Sequence, residues 1–165
     1  MVNSQFSLYN LINPRSIENI FTERSPLLTQ WCRTIETTIL DRHLSAEMYV
    51  CFQQLSNFAL VHKRYSKINE LGQPVWIFGE PDVTYTPQAN LNFIELANGD
   101  KLCREWFLVV NHPDYSRAVV AQEISLSGTP LKQRLFQGVL TSDKDTVATL
   151  ERNLARVVKD YSPII

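Results

Sequence analysis

The stretch MYVCFQQLSNFALVHKRYSKINELGQPVWIFGEPD, residues 48–82, decides the fold. Its opening, MYVCFQ (48–53), is apolar and rich in aromatic and β-branched side chains, the composition of a buried strand. Between Ser56 and Leu71 the period changes. Phe58, Val61, Tyr65, Ile68 and Leu71 fall at steps of three and four on one helical face, and Gly72 stands where a helix ends on a left-handed residue. VWIFG (75–79) reads as a second strand. Strand, helix, strand is a βαβ unit, so the two strands are expected to be parallel neighbours or near neighbours joined by a right-handed crossover.

Working outward, Ser25-Pro26 reads as an N-cap followed by a preorganised first turn, and Leu28, Trp31, Cys32, Ile35 and Ile39 mark one face of a helix ending near Arg42 and His43. Residues 1–24 read as a helical lead-in, with Asn13-Pro14 as its start and Ile17, Ile20 and Phe21 at helical spacing. Beyond the βαβ unit, LNFIEL (91–96), EWFLVVN (105–111), AVVAQEIS (118–125) and RLFQGVLTS (134–142) read as strands joined by short turn-rich stretches, which favours antiparallel pairing. Asp143 then caps a last helix whose face carries Val147, Leu150, Leu154, Val157 and Tyr161. The fold class expected is α/β to α+β: one domain over 25–165, a mixed β-sheet with one βαβ crossover and an antiparallel second half, flanked by helices.

The chain has 165 residues, of which 44% are hydrophobic and 20% charged, enough for a core without disulfide or metal staples. Sixteen basic residues against seventeen acidic ones leave a net charge of −1, and no block of like charge forms a footprint for nucleic acid. No run approaches the ~18 apolar residues of a membrane span, and the opening MVNSQFSLYN lacks a charged and then apolar leader, so the cytoplasm is the compartment expected. Cys32, Cys51 and Cys103 lie far apart with no CxxC pair, as reduced thiols would. The five glycines form no phosphate-binding loop, and His43, His62 and His112 sit in three different elements with no metal-binding spacing.

Candidate ligand-binding residues gather around the C-terminal ends of the parallel strands, where open α/β sheets place ligand crevices. They are Gln53, Phe58, Tyr65, Phe78, Glu80 and Asp82, with Trp106 from the later strand. Trp31, Trp76 and Trp106 are read as inward facing, the lining of a cavity for a flat organic ligand, with Gln53, Tyr65 and Glu105 as polar groups converging on it. Each of these residues also has a plain reading as core or as a solvated turn. No catalytic residue is assigned. The enzyme alternative rests on Cys103, whose basic neighbours Lys101 and Arg104 would lower its pKa, with His112 as base.

The runs YVCFQQLSNFALVHKRYSKI, VWIFGEPD, LCREWFLVVNHPDYSRAVVAQE and FQGVLTSDKDTVATLERNLARVV occur in an order that resembles the DICT domain, a sensory module found beside diguanylate cyclases and two-component kinases, largely in cyanobacteria. The resemblance covers about residues 25–161 and rests on structural words rather than a catalytic signature. It implies signal input, with a light response suggested by the company such domains keep, and it supplies neither a cofactor nor functional residues. Because such domains are often fused to an output domain, the expected partner is a separate signalling protein such as a kinase or cyclase. A homodimer through the C-terminal helix is the second expectation, from its a/d-like stripe. The competing function is a purely protein-interaction module without ligand.

Overall fold

The computed structural model describes residues 5–12, 20–86 and 88–161. Among these residues seven strands form one mixed sheet: β1 (Ile20–Arg24), β2 (Met48–Gln54), β3 (Val75–Glu80), β4 (Leu91–Glu95), β5 (Glu105–His112), β6 (Tyr115–Glu123) and β7 (Leu135–Thr141), in the spatial order β1-β7-β6-β5-β2-β3-β4. Helices α1 (Ser25–Asp41), α2 (His62–Asn69) and α3 (Lys144–Tyr161) cover it. The architecture is α+β.

The βαβ unit stands as read: β2 and β3 are parallel, with a 3-10 turn over Leu55–Leu60 and then α2 between them. β5 and β6 pair antiparallel, as their tight turn requires, and β5 lies against the other side of β2. Strands β2 and β5 are buried on both faces. Met48, Val50 and Leu108 point to the side of α1 and α2, while Tyr49, Cys51 and Phe107 point to the side of α3. That double burial explains the near-continuous apolar runs that mark them in the sequence.

Three expectations are corrected. LNFIEL, as β4, joins β3 in parallel rather than antiparallel. The described residues of its connection form no helix, and Tyr85 anchors the crossing: the phenol donates to the Leu55 carbonyl at 2.7 Å, and the ring stacks on Phe93 with centroids 5.0 Å apart. Ile20 and Phe21, read as helical, are strand residues at one edge of the sheet. Phe21 faces Gly138 of β7 and packs its ring on Trp31 at 4.8 Å, so hydrogen bonds supplied from more than a hundred residues away override the local spacing. Asn13, Pro14 and Ile17 lie outside the described residues. Ser25 is also displaced from its expected role. Arg24 occupies the cap position, and the buried Ser25 hydroxyl donates to the Leu131 carbonyl at 2.5 Å.

Helix α3 starts as expected, with Asp143 accepting the Thr146 backbone N–H at 2.9 Å. Val147, Leu150, Leu154 and Val157 are buried against the sheet, joined by Val158. Its apolar stripe is therefore covered within the chain, and the outward face carries Lys144, Arg152, Arg156 and Lys159. None of the helices among the described residues is long and apolar enough to cross a membrane.

Candidate functional site

At the end of β2 the ladder with β3 slips between Cys51 and Gln54, and Gln53 within the slip takes a left-handed backbone with φ of 66°. A non-glycine residue held this way costs on the order of 1–3 kcal/mol and persists where the surroundings over-determine it. Gln53 is buried, and both ends of its amide are used. Nε2 donates to Glu123 Oε1 at 3.0 Å, and Oε1 accepts from Arg134 Nη1 at 2.9 Å.

From there the bonding spreads. Glu123 Oε2 accepts the Ser125 hydroxyl at 2.7 Å and lies 3.4 Å from Arg104 Nη1, while Arg104 Nη2 donates to the Ser125 carbonyl at 2.6 Å and Arg134 Nε to the Thr129 carbonyl at 2.9 Å. This network pins the loop between β6 and β7 over the ends of β2 and β5. Beside it opens a cleft of about 540 Å³, walled by Gln54 and Glu80 on the parallel strands, by Asn98, Gly99 and Lys101 before β5, and by Ser127 and Gly128 of the loop. Carboxylate, amide, ammonium and guanidinium groups all face it, which suits a small polar molecule rather than an apolar one.

The structure disperses the other sequence candidates. Gln53 and Glu80 share the cleft. Phe58 and Tyr65 are fully buried in an aromatic cluster with Phe52, and the Tyr65 hydroxyl donates to Glu36 Oε2 at 2.7 Å. Phe78 is buried on the opposite face against Phe107. Asp82 is engaged by the 3-10 turn that follows β2, accepting the Ser56 N–H at 2.9 Å and hydroxyl at 2.5 Å. Trp106 lines a separate small cavity beside α1. The three tryptophans do not share one cavity: Trp31 packs on Phe21, and Trp76 lies on the α3 side, donating to Glu47 Oε1 at 2.7 Å. Sequence reasoning missed Arg104, Glu123 and Arg134. A buried Glu at the end of a strand is the one local signal they left.

The thiols are not activated. Burial pushes Cys103 up to about 12, and the neighbouring Glu80 adds to the rise, which corrects the expectation that Lys101 and Arg104 would lower it. His112 is no base for it, since the two stand at opposite ends of β5, on the order of 25 Å apart at ~3.4 Å per residue. Cys32 is likewise raised to about 12, first by burial and then by the charge of Glu36.

Glu105 does not converge on the cleft either. It is buried beneath residues 5–12, with Oε1 accepting the Tyr9 N–H at 2.8 Å and Oε2 without a partner. Burial pushes its pKa up to about 7, against hydrogen bonds from Ser7, Tyr9 and Leu8 that pull it down and the Asp100 charge that adds to the rise. The folded chain thus holds this proton to about pH 7, whereas an unfolded Glu releases it near its ordinary 4.5. Stability from this group is complete below about pH 4.5 and is lost as pH rises through about 7. We expect a loss of up to about 3 kcal/mol across that window. Urea unfolding at a series of pH values checks it, and a Glu105→Gln variant with an unchanged pH profile would refute the assignment.

A family model for DICT, the sensory domain in diguanylate cyclases and two-component systems, matches residues 5–124. No curated protein gives a significant match. Among solved structures, TrmBL2, an archaeal chromatin protein described with a novel mode of DNA binding, superposes with a TM-score of 0.53 at 13% identity, covering 94% of this chain and 57% of that one. The polyphosphate kinase of Porphyromonas gingivalis gives a TM-score of 0.49 at 12% identity, covering 90% of this chain and 24% of the other. At such identities the likeness to TrmBL2 is one of fold, and this chain spans 57% of that protein's length. The sequence match, by contrast, runs from the segment over Glu105 through the β2-β3 unit to the end of β6, and the chain belongs to the DICT family of sensory domains.

Proposed function

We propose that this domain is a non-catalytic, cytoplasmic signal-input module that takes a small polar ligand in the cleft at the ends of β2 and β3 and reports its presence to a signalling protein such as a kinase or cyclase. Family membership supports sensory input. The observation that carries the ligand is Gln53: a buried residue with a left-handed backbone, its side chain tied to Glu123 and Arg134, is stiffer than a strand end requires, and it fixes one wall of a polar cleft. Rigid first contacts of this kind lower the cost of binding.

The same network offers a route outward. The loop it pins carries Ile124 and Leu126, 48% and 84% exposed, next to the cleft residues Ser127 and Gly128. We place the partner contact on this loop. A second copy or a partner that used α3 would meet its charged outward face, because the apolar stripe is already covered.

Protein purified from its own host, weighed under native and denaturing conditions, tests the reading. An additional bound mass is expected, lost in Glu80→Ala and Lys101→Ala variants whose melting temperatures stay within about 2 °C of the parent, as surface changes of this size allow. A visible absorbance band in the same sample would extend the signal to light, and a colourless bound molecule would make it chemical. A chain that carries no bound mass and yet engages its partner would favour the interaction module without ligand.

A further inference from the structure

Away from the polar cleft, and sharing none of its residues, a cavity of about 60 Å³ lies between α1 and the 3-10 turn that follows β2. Phe52, Val61, Leu131 and Trp106 supply most of its wall, with Cys32 and Glu36 from α1. Trp106 is only 7% exposed, and its buried indole N–H has no oxygen or nitrogen acceptor. It reaches the Cys32 sulfur, a weak acceptor whose pKa this contact lowers against the larger rise from burial. A buried donor in this state costs about 1–3 kcal/mol, which a phenylalanine at the same position would avoid.

Two of the other polar side chains are occupied, and Thr29 stands at the exposed rim. Glu36 Oε1 accepts from Arg64 at 2.8 Å and Oε2 from Tyr65 at 2.7 Å, while the Asn57 amide donates to the Phe52 carbonyl at 2.9 Å. An acceptor entering the cavity would therefore meet a buried donor held only by a weak sulfur contact. Water, which needs two to four polar partners, suits these largely apolar walls poorly. At the mouth stands Leu60, 80% exposed, a large apolar side chain held in water beside an apolar opening.

We propose that this cavity is a second binding site, for a small and largely apolar molecule bearing one hydrogen-bond acceptor such as a ketone carbonyl, with the Trp106 indole N–H as its donor and Leu60 covering the part that protrudes. About 60 Å³ corresponds to roughly two water volumes, enough for the carbonyl and its nearest carbons, with the remainder lying against Leu60. The site is independent of the polar cleft, so failure of either leaves the other standing.

Cyclopentanone and its isostere methylenecyclopentane, which lacks the acceptor, are the probes. In a proton–nitrogen correlation spectrum of the full chain, cyclopentanone is expected to move one indole N–H signal downfield saturably, and to bind at least tenfold more tightly than the hydrocarbon. Trp106→Phe assigns that signal by removing it and is expected to abolish the preference for the ketone. Leu60→Gln, at an exposed position, is expected to weaken cyclopentanone at least threefold with no change in melting temperature, and it serves as the test should Trp106→Phe fail to fold. Equal responses to the two probes, no response of the Trp106 signal, or unaltered affinity in Leu60→Gln would each overturn the proposal.

Discussion

Leu154→Glu is expected to unfold the domain. Leu154 is 0% exposed beneath α3, among Val147, Leu150 and Val157 and the sheet side chains Phe107, Val109 and Val120. The change removes a fully buried aliphatic group and leaves a carboxylate where no buried cation stands among the described residues, so at least about 4 kcal/mol is lost. Domains of this size hold about 5–15 kcal/mol in all. Arg152→Glu, two residues away on the outward face, is the control and should stay within about 0.5 kcal/mol of the parent. Circular dichroism with urea titration measures both. If Leu154→Glu kept the parent's midpoint and changed only its solution mass, the stripe on α3 would be an interface and its placement on the sheet would be wrong.

Gly138→Ala is expected to be nearly as damaging, for a reason unrelated to backbone freedom. A Cβ at Gly138 would sit 2.2 Å from the Val120 carbonyl oxygen and 2.6 Å from the Ala121 Cα. These are backbone atoms of β6, and β7 has no room to move away from them because β1 is paired on its other side, with Phe21 opposite Gly138. One ladder or the other must break, at a cost of roughly 3 kcal/mol or more. Gly72→Ala provides the contrast. Its φ of +96° is strained for any other residue, yet nothing lies within 4 Å of the added carbon, so about 1–2 kcal/mol is expected. Equal losses in the two variants would refute the steric account.

The arrangement around Glu105 and that around Gln53 show the same division between local and distant causes. Glu105 reads in sequence as the first polar residue of an apolar strand, and its proton affinity follows from residues 5–12 folding back over it. Gln53 reads as the polar end of β2, and its left-handed backbone follows from partners seventy and eighty-one residues away. In both cases the residue was identifiable and its role was not.

What the sequence by itself determined is set by periodicity and by chain connectivity. Alternation and burial marked β2, β3, β5 and β6, spacing marked α1 and α3, and the length of the connections decided that β2 and β3 run parallel while β5 and β6 run antiparallel. These are properties of neighbouring residues, and the physics that reads them acts over a few residues at a time. Tertiary structure alone decided the rest. It made Ile20–Arg24 an edge strand through β7, turned the connection to β4 into a crossing held by Tyr85, and sent Phe78 to the face away from Phe58. It also assembled the polar cleft from Gln53, Glu80, Arg104, Glu123 and Arg134, which are joined through side-chain bonds or placed together by the sheet. Such contacts carry no period along the chain, because what selects each partner is the desolvation of a buried polar group that must be satisfied by whatever the folded sheet brings within reach.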